Sequence, residues 1–340
     1  MEDVDYGQLQ ELLGSVLENN SISFECLVQQ LQAGDFSGLK KSLGQMFADW
    51  LAGGGGLHLS DFSGILLLVF LFAILRIVGQ AFESKTINTF SGLVVQLLLI
   101  AQLAALFRTF QEQVKEYLDH VITFSSALFP VLAVASAASG ETLSAAGLYA
   151  SAMSICSLVS RVCMYVLLPG VSMFLVITLL NSVMEESLFS GFTGLLKKLL
   201  GMLMKTSLAV VTGMQILQVM ILPRADSVRK QTLLKTASLI PGAGGITDTA
   251  VTVLWESGSL LKGSIGVVGM FCILMICLFP VLRIALVSVL YHVMSAVMKP
   301  AADEKICSCL SGFAESLEYL VKITCLCGVI FLILMAAAAW

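Results

Sequence analysis

Past residue 61 the chain is a succession of long apolar runs, interrupted by single charges and by short gaps that carry glycine or proline. Runs near residues 62–82, 90–107, 121–139, 145–183, 206–222, 264–298 and 318–338 approach or exceed the roughly 20 residues a helix needs to cross a bilayer. Two are too long for one crossing. Residues 145–183 hold Arg161 and Pro169-Gly170, and residues 264–298 hold Pro280 and Arg283, so each reads as two helices or one sharply broken helix, for six to nine spans in all. Ahead of the runs, Tyr6, Leu9, Leu12, Leu13, Val16 and Leu17 recur at helical spacing, as do Phe24, Leu27, Val28 and Leu31, and then Leu39, Leu43, Met46, Phe47 and Trp50. Asn19-Asn20 and Gly34-Asp35 supply stop and cap signals between them. The pattern predicts three short amphipathic helices over residues 1–56, ending in the linker Gly53 to Gly56, and then a multi-span helical domain over residues 57–340. The fold class is all-α, a polytopic helical integral membrane protein.

The pentapeptide Leu128-Phe129-Pro130-Val131-Leu132 returns letter for letter as Leu278-Phe279-Pro280-Val281-Leu282. Proline removes a backbone donor and crowds the preceding turn, and in hydrocarbon the freed carbonyl needs cover from neighbouring protein or enclosed water. Both copies are therefore expected to face other helices. Pro130, Pro169 and Pro280, with Pro241, Gly242, Gly244 and Gly245, are the candidate helix breaks. Ile155-Cys156-Ser157 also matches Ile306-Cys307-Ser308, at an offset of 151 residues against 150 for the pentapeptide. That is the spacing an internal repeat of about 150 residues leaves, and interrupted helices at matching places mark transporter folds.

Composition agrees with the pattern. Hydrophobic residues make up 57% of the 340 positions and charged residues 12%, with a mean hydropathy of +0.92, more apolar surface than a water-soluble core can hide. A net charge of −4 with scattered cations excludes nucleic acid as a partner and leaves the lipid bilayer. Residues 1–61 stand apart, with nine acidic residues against Lys40 and Lys41. The cysteines Cys156, Cys163, Cys272, Cys277, Cys325 and Cys327 lie in apolar runs and read as small buried hydrophobes. The pairs Cys307/Cys309 and Cys325/Cys327 are spaced to point to different sides of a helix, unlike zinc ligands. His58, His120 and His292 stand far apart in sequence, so no metal or cofactor site is expected.

Arg76, Arg161, Lys205 and Arg283 lie in or at the ends of apolar segments, where a charge costs at least about 2.5 kcal/mol unless it faces water or a partner, or snorkels to the interface. Gln96, Gln102, Asn181, Gln215 and Gln218 can bond between helices, and the small residues over 133–152 form a packing seam. Lys197, Lys198 and Lys205 stand at one end of a run and Arg224, Arg229, Lys230 and Lys235 at the other, so charge does not fix the orientation. Residues 236–263 are the most unusual. Asp248, Thr252 and Glu256 make one polar stripe beyond the Gly-rich turn at Pro241 to Gly245. Two readings stay open: a re-entrant segment lining an aqueous path, or a helix lying on the membrane surface.

Ser238 to Ala250, S-L-I-P-G-A-G-G-I-T-D-T-A, followed by Leu260 to Gly266 and the F-P-V-L-R-I span, closely resembles the stage III sporulation protein AE family of endospore-forming bacteria. The resemblance runs upstream through Leu128 to Gly140 and covers about residues 60–340. It implies a multi-pass protein of the mother-cell membrane around the forespore. It also implies work with other membrane proteins of the same operon and a forespore-side partner, in a channel or secretion-like complex that sustains forespore gene expression. It carries over no enzymatic activity and no catalytic residues. Family members commonly have an N-terminal signal peptide, whereas Met1 here is followed by acidic residues. Either the chain begins after a cleaved signal or the tail stays cytoplasmic, and the paucity of lysine and arginine in that region favours the first. Two other functions are weighed: a self-sufficient secondary transporter, suggested by the repeat and the interrupted helices, and an intramembrane enzyme, for which there is no G-x-S-x-G, no H-E-x-x-H and no aspartate pair in adjoining spans.

Overall fold

Leu99, Leu103, Phe110, Val114, Tyr117, Val121, Phe124 and Leu128 recur every three, four or seven positions, and all are buried. That spacing keeps one face of a helix turned to its neighbours. The result is α1, Lys85–Ala138, a helix of 54 residues. A computed structural model describes residues 85–138, 142–184, 189–237, 244–299 and 304–339, with isolated positions at Val28, Gly44, Ala48 and Ile74. Among the described residues every regular element is helical. After α1 come α2, Thr142–Val162, a π-helical turn at Cys163–Leu167, α3, Leu168–Val183, α4, Ser190–Ala237, α5, Gly244–Met298, and α6, Glu304–Ala339. The N-terminal amphipathic helices, the glycine linker, the 62–82 span, Arg76, Pro241 and Gly242 lie outside the described residues.

The helices run up and down, with α6 in the centre packed against all the others. Phe313, Leu317, Leu320, Ile323, Ile330 and Phe331 of α6 have no exposed surface. Hydrogen bonds fix the ends. At the entry end, Gln96 of α1 donates to the Ser182 carbonyl of α3 at 3.0 Å, and Ser295 of α5 donates to the Cys307 carbonyl of α6 at 2.8 Å. At the far end, Tyr149 of α2 donates to the carbonyls of Leu132 in α1 and Ala338 in α6. So α1, α4 and α6 run from the entry end to the far end, and α2–α3 and α5 run back. Among the described residues five stretches are long and apolar enough to cross a membrane: Gly92–Ala137, Tyr149–Val183, Ser190–Leu217, Ser259–Met298 and Glu304–Ala338.

Three sequence expectations change. The runs at 90–107 and 121–139 are one continuous helix, because the polar stretch between them holds neither glycine nor proline and keeps its inward face apolar. Pro130 and Pro280 do not end their helices; α1 and α5 run through both. The first pentapeptide also faces neighbours only in part: Leu128, Phe129 and Leu132 are buried while the Pro130 ring is exposed. Phe279 and Pro280 are instead both half-buried, so the shared letters do not share surroundings.

The interruption expected in 145–183 is a local widening and not a break, since α2, the π-helical turn and α3 follow one another without a gap in the helix. The Leu168 N–H bonds the Cys163 carbonyl, five residues back, and Pro169 stands in the first turn of α3. In a regular helix the proline ring would clash with the carbonyl four residues earlier. Widening the preceding turn by one residue relieves that clash without ending the helix.

Candidate functional site: a polar girdle across the bundle

Halfway along the bundle, all five helical rods contribute polar groups at one level. Ser172 of α3 donates to the Gln111 side-chain oxygen of α1 at 3.1 Å. Two residues on, the Phe174 ring meets Tyr319 of α6 edge to face, with centroids 5.2 Å apart. The Lys197 ammonium of α4 lies 5.6 Å from the Phe174 centroid and pairs with Glu315 of α6. His292 of α5 bonds Glu318 of α6 at 3.1 Å, and Lys322, 3.3 Å from the other Glu318 oxygen, sits 4.7 Å above the Tyr319 ring. On the outer side of α1, Arg108 pairs with Glu112.

The Lys197–Glu315, His292–Glu318 and Lys322–Glu318 pairs are a third to a half exposed, and Arg108–Glu112 is more exposed still. Their Coulomb energy is therefore well below that of a desolvated pair, and each is worth on the order of 1 kcal/mol or less. The girdle's significance is positional: it brings Lys197, His292, Glu315, Glu318 and Lys322 of α4, α5 and α6 to the level of Gln111 in α1 and Ser172 in α3. For Lys197 and Glu315 a reciprocal exchange tests the coupling. Lys197→Glu or Glu315→Lys alone is expected to lower the thermal midpoint in nanodiscs by a few degrees, and the double exchange to recover at least half of the loss. No recovery would mean that the two charges do not interact.

Of the residues singled out from sequence, Arg161 is exposed in the last turn of α2, just before the π-helical turn. Arg283 is half-buried in α5, three residues past Pro280. Asp248, Thr252 and Glu256 lie in α5, as do Gly244 and Gly245 at its start; the side chains over 218–258 are outside the described residues. Sequence reasoning missed Gln111, Lys197, Glu315, Glu318 and Lys322 as a group and set His292 aside as structural. The signal available was the presence of single ionisable residues within apolar helices: Lys197 in α4, His292 in α5, and Glu315, Glu318 and Lys322 in α6.

A second polar line runs down the inside. Tyr117 donates to the Thr324 carbonyl at 3.5 Å, and the Cys277 thiol approaches the same oxygen at 3.8 Å. The Cys163 and Cys327 sulfurs lie 2.9 Å apart, and the Cys309 sulfur is 2.7 Å from the Ser182 hydroxyl. Most described thiols are buried; Cys325 is exposed while Cys327 is buried, as their spacing predicts, whereas Cys307 and Cys309 are both buried because α6 is surrounded by the other helices. Among the described residues no group of three or more histidine, cysteine or acidic side chains could hold a metal ion. Nothing in the girdle pairs a nucleophile with a base and an oxyanion-stabilising group, the minimum geometry for acyl transfer.

Long apolar helices, small residues at their crossings and a transverse polar belt define a polytopic α-helical membrane protein. Comparison with known proteins makes this specific. The family model of stage III sporulation protein AE matches residues 22–340, and the chain belongs to that family. It is similar to stage III sporulation protein AE of Bacillus subtilis (strain 168), with 21% identity over 295 residues, covering 86% of this chain and 72% of that protein. No solved structure matches.

Proposed function

We propose that this protein is a non-enzymatic integral component of a channel or secretion-like complex that joins mother cell and forespore during endospore development. It stands in the mother-cell membrane around the forespore. Its partners are other membrane proteins of the same sporulation operon and a forespore-side protein. The observation that carries this reading is the family match across residues 22–340, and the bundle is compatible with it. Leu97, Val176, Leu195 and Val297 around the entry end are large apolar residues left uncovered by the chain itself.

The test is genetic and biochemical together. Deleting the gene in its spore-forming host is expected to stop development after engulfment and to be complemented by the intact gene. Gentle detergent extraction is expected to bring the operon's other membrane proteins down with the tagged chain. A deletion strain that forms spores normally would sink the proposal. Purified chain in liposomes that moves a solute without any partner would shift the reading to a self-sufficient transporter.

A further inference from the structure

Five stretches free of charge match in length. They are residues 121–140, 142–160, 206–223, 263–282 and 323–340, between 18 and 20 residues apiece. At 1.5 Å per residue each measures about 27–30 Å, the thickness of bilayer hydrocarbon. The packing sets them side by side. Tyr149 bonds both Leu132 and Ala338, and Gly269 of α5 lies against Leu128 and Met335, so the stretches of α1, α2, α5 and α6 share the far half of the bundle. Gly170 against Leu200 sets α4 alongside α3 just before its own stretch begins.

The charges that bound the stretches fall at two levels. His120, Arg161, Lys205, Arg283 and Lys322 lie on the girdle side. Arg224 of α4 and Lys262 of α5 bound their stretches on the far side.

The entry half offers no such slab. In α1 and α3 charge-free residues run long at 86–107 and 162–184 and leave Leu97, Leu98, Val176 and Leu180 exposed, faces that a partner protein must cover, whereas α6 places Lys305 and Glu315 ten positions apart and α4 reaches Lys197 within its first turns. Helix α1 alone is about 80 Å long, far more than a hydrocarbon core, so much of it lies outside whichever half is taken. Burying the entry half would put the ends of α6 and the girdle cations among acyl chains, where charge is strongly disfavoured.

We propose that the bilayer's hydrocarbon core meets only the far half of the bundle, from the girdle to the level of Arg224 and Lys262, and that the girdle lies in the headgroup region. The entry half, with the C-terminal ends of α3 and α5 and the N-terminal ends of α4 and α6, projects beyond the hydrocarbon on the girdle side. Residues 90–107 then form no separate span. Arg161, Lys205, Arg283 and Lys322 anchor the slab, their stems along apolar surface and their charged heads at the interface.

Spin labels read this directly. Cysteine is introduced singly at Val134, Leu274 and Val329 in the far half, and at Leu97, Leu195 and Val297 in the entry half, all exposed positions. The background has Cys26, Cys277 and Cys325 replaced by serine, and each labelled variant goes into lipid nanodiscs. The ratio of collisions with a water-soluble nickel complex to collisions with oxygen is expected to be at least threefold higher at the entry-half positions than at Leu274, and uniformly low at Val134, Leu274 and Val329. Ratios equal within a factor of two across both sets, or high ratios at the far-half positions, would overturn the placement.

Discussion

Replacing Gly269 with leucine is expected to lower the thermal midpoint of the protein by on the order of 10 °C, read with a dye that reacts with cysteines as they become exposed. Gly269 stands where three helices meet. A Cβ built there already overlaps Leu128 of α1 and the tip of Met335 of α6. Both neighbours are fully buried, so neither can swing out to solvent or lipid. Alanine would be met by small rotations of two side-chain ends. Leucine adds three further carbons with no free volume to occupy, and overpacking of this kind costs about 1–3 kcal/mol and sometimes more. In a membrane the effect is not offset by hydrophobic burial, because lipid chains are as apolar as leucine and close packing is what holds the helices together. At about 2–4 °C for each kcal/mol in a chain of this size or somewhat smaller, the upper end of that range gives the shift stated. Truncating Leu128 to alanine in the same background is expected to restore part of it. A Gly269→Leu protein melting within about 2 °C of the parent would show that the α1–α5–α6 seam is looser than these contacts require.

Much of this fold is legible in the letters, and the parts that are not share a cause. Composition alone gives the helical membrane class. Pro169 with Arg161 marks the interruption before α3, although only the backbone shows that the chain answers with a widened turn. The continuity of α1 could also have been found, because Phe110, Val114, Tyr117 and Val121 carry the apolar stripe straight through the polar stretch. Averaging hydropathy over a window hides that stripe, since Arg108, Glu112, Lys115, Glu116 and Asp119 on the outer faces outweigh it. The girdle is a different case. Each of its charges, taken singly, reads as an end-of-helix cation or a surface acid. That Lys197 meets Glu315 and His292 meets Glu318 depends on the relative heights of α4, α5 and α6, which follow from topology and not from local sequence. Asp248, Thr252 and Glu256 were legible as a stripe, and α5 confirms their helical register. With the hydrocarbon edge proposed at Lys262, the residues of that stripe lie beyond it along α5.

A pair of arginine substitutions separates the two halves of the bundle energetically. Leu274→Arg is expected to deplete the inserted protein severely, whereas Val297→Arg should leave it near the parent level. Both side chains are exposed on the same helix, α5, so neither change opens a cavity or breaks a hydrogen bond. Leu274 falls near the middle of the charge-free residues 263–282. An arginine there costs about 2.5–3.5 kcal/mol on the insertion scale, because at mid-depth its stem cannot bring the guanidinium to water without thinning the bilayer. That is roughly a hundredfold in an insertion equilibrium. Val297 lies six turns away in the last turn of α5, beyond the girdle on the proposed placement, and a surface charge there changes stability by no more than about 0.5 kcal/mol. The measurement is the amount of full-length chain retained in carbonate-washed membranes relative to the parent. Equal depletion of both variants would mean that acyl chains surround the entry half as well, and full tolerance of Leu274→Arg would mean that the far half does not face lipid at all.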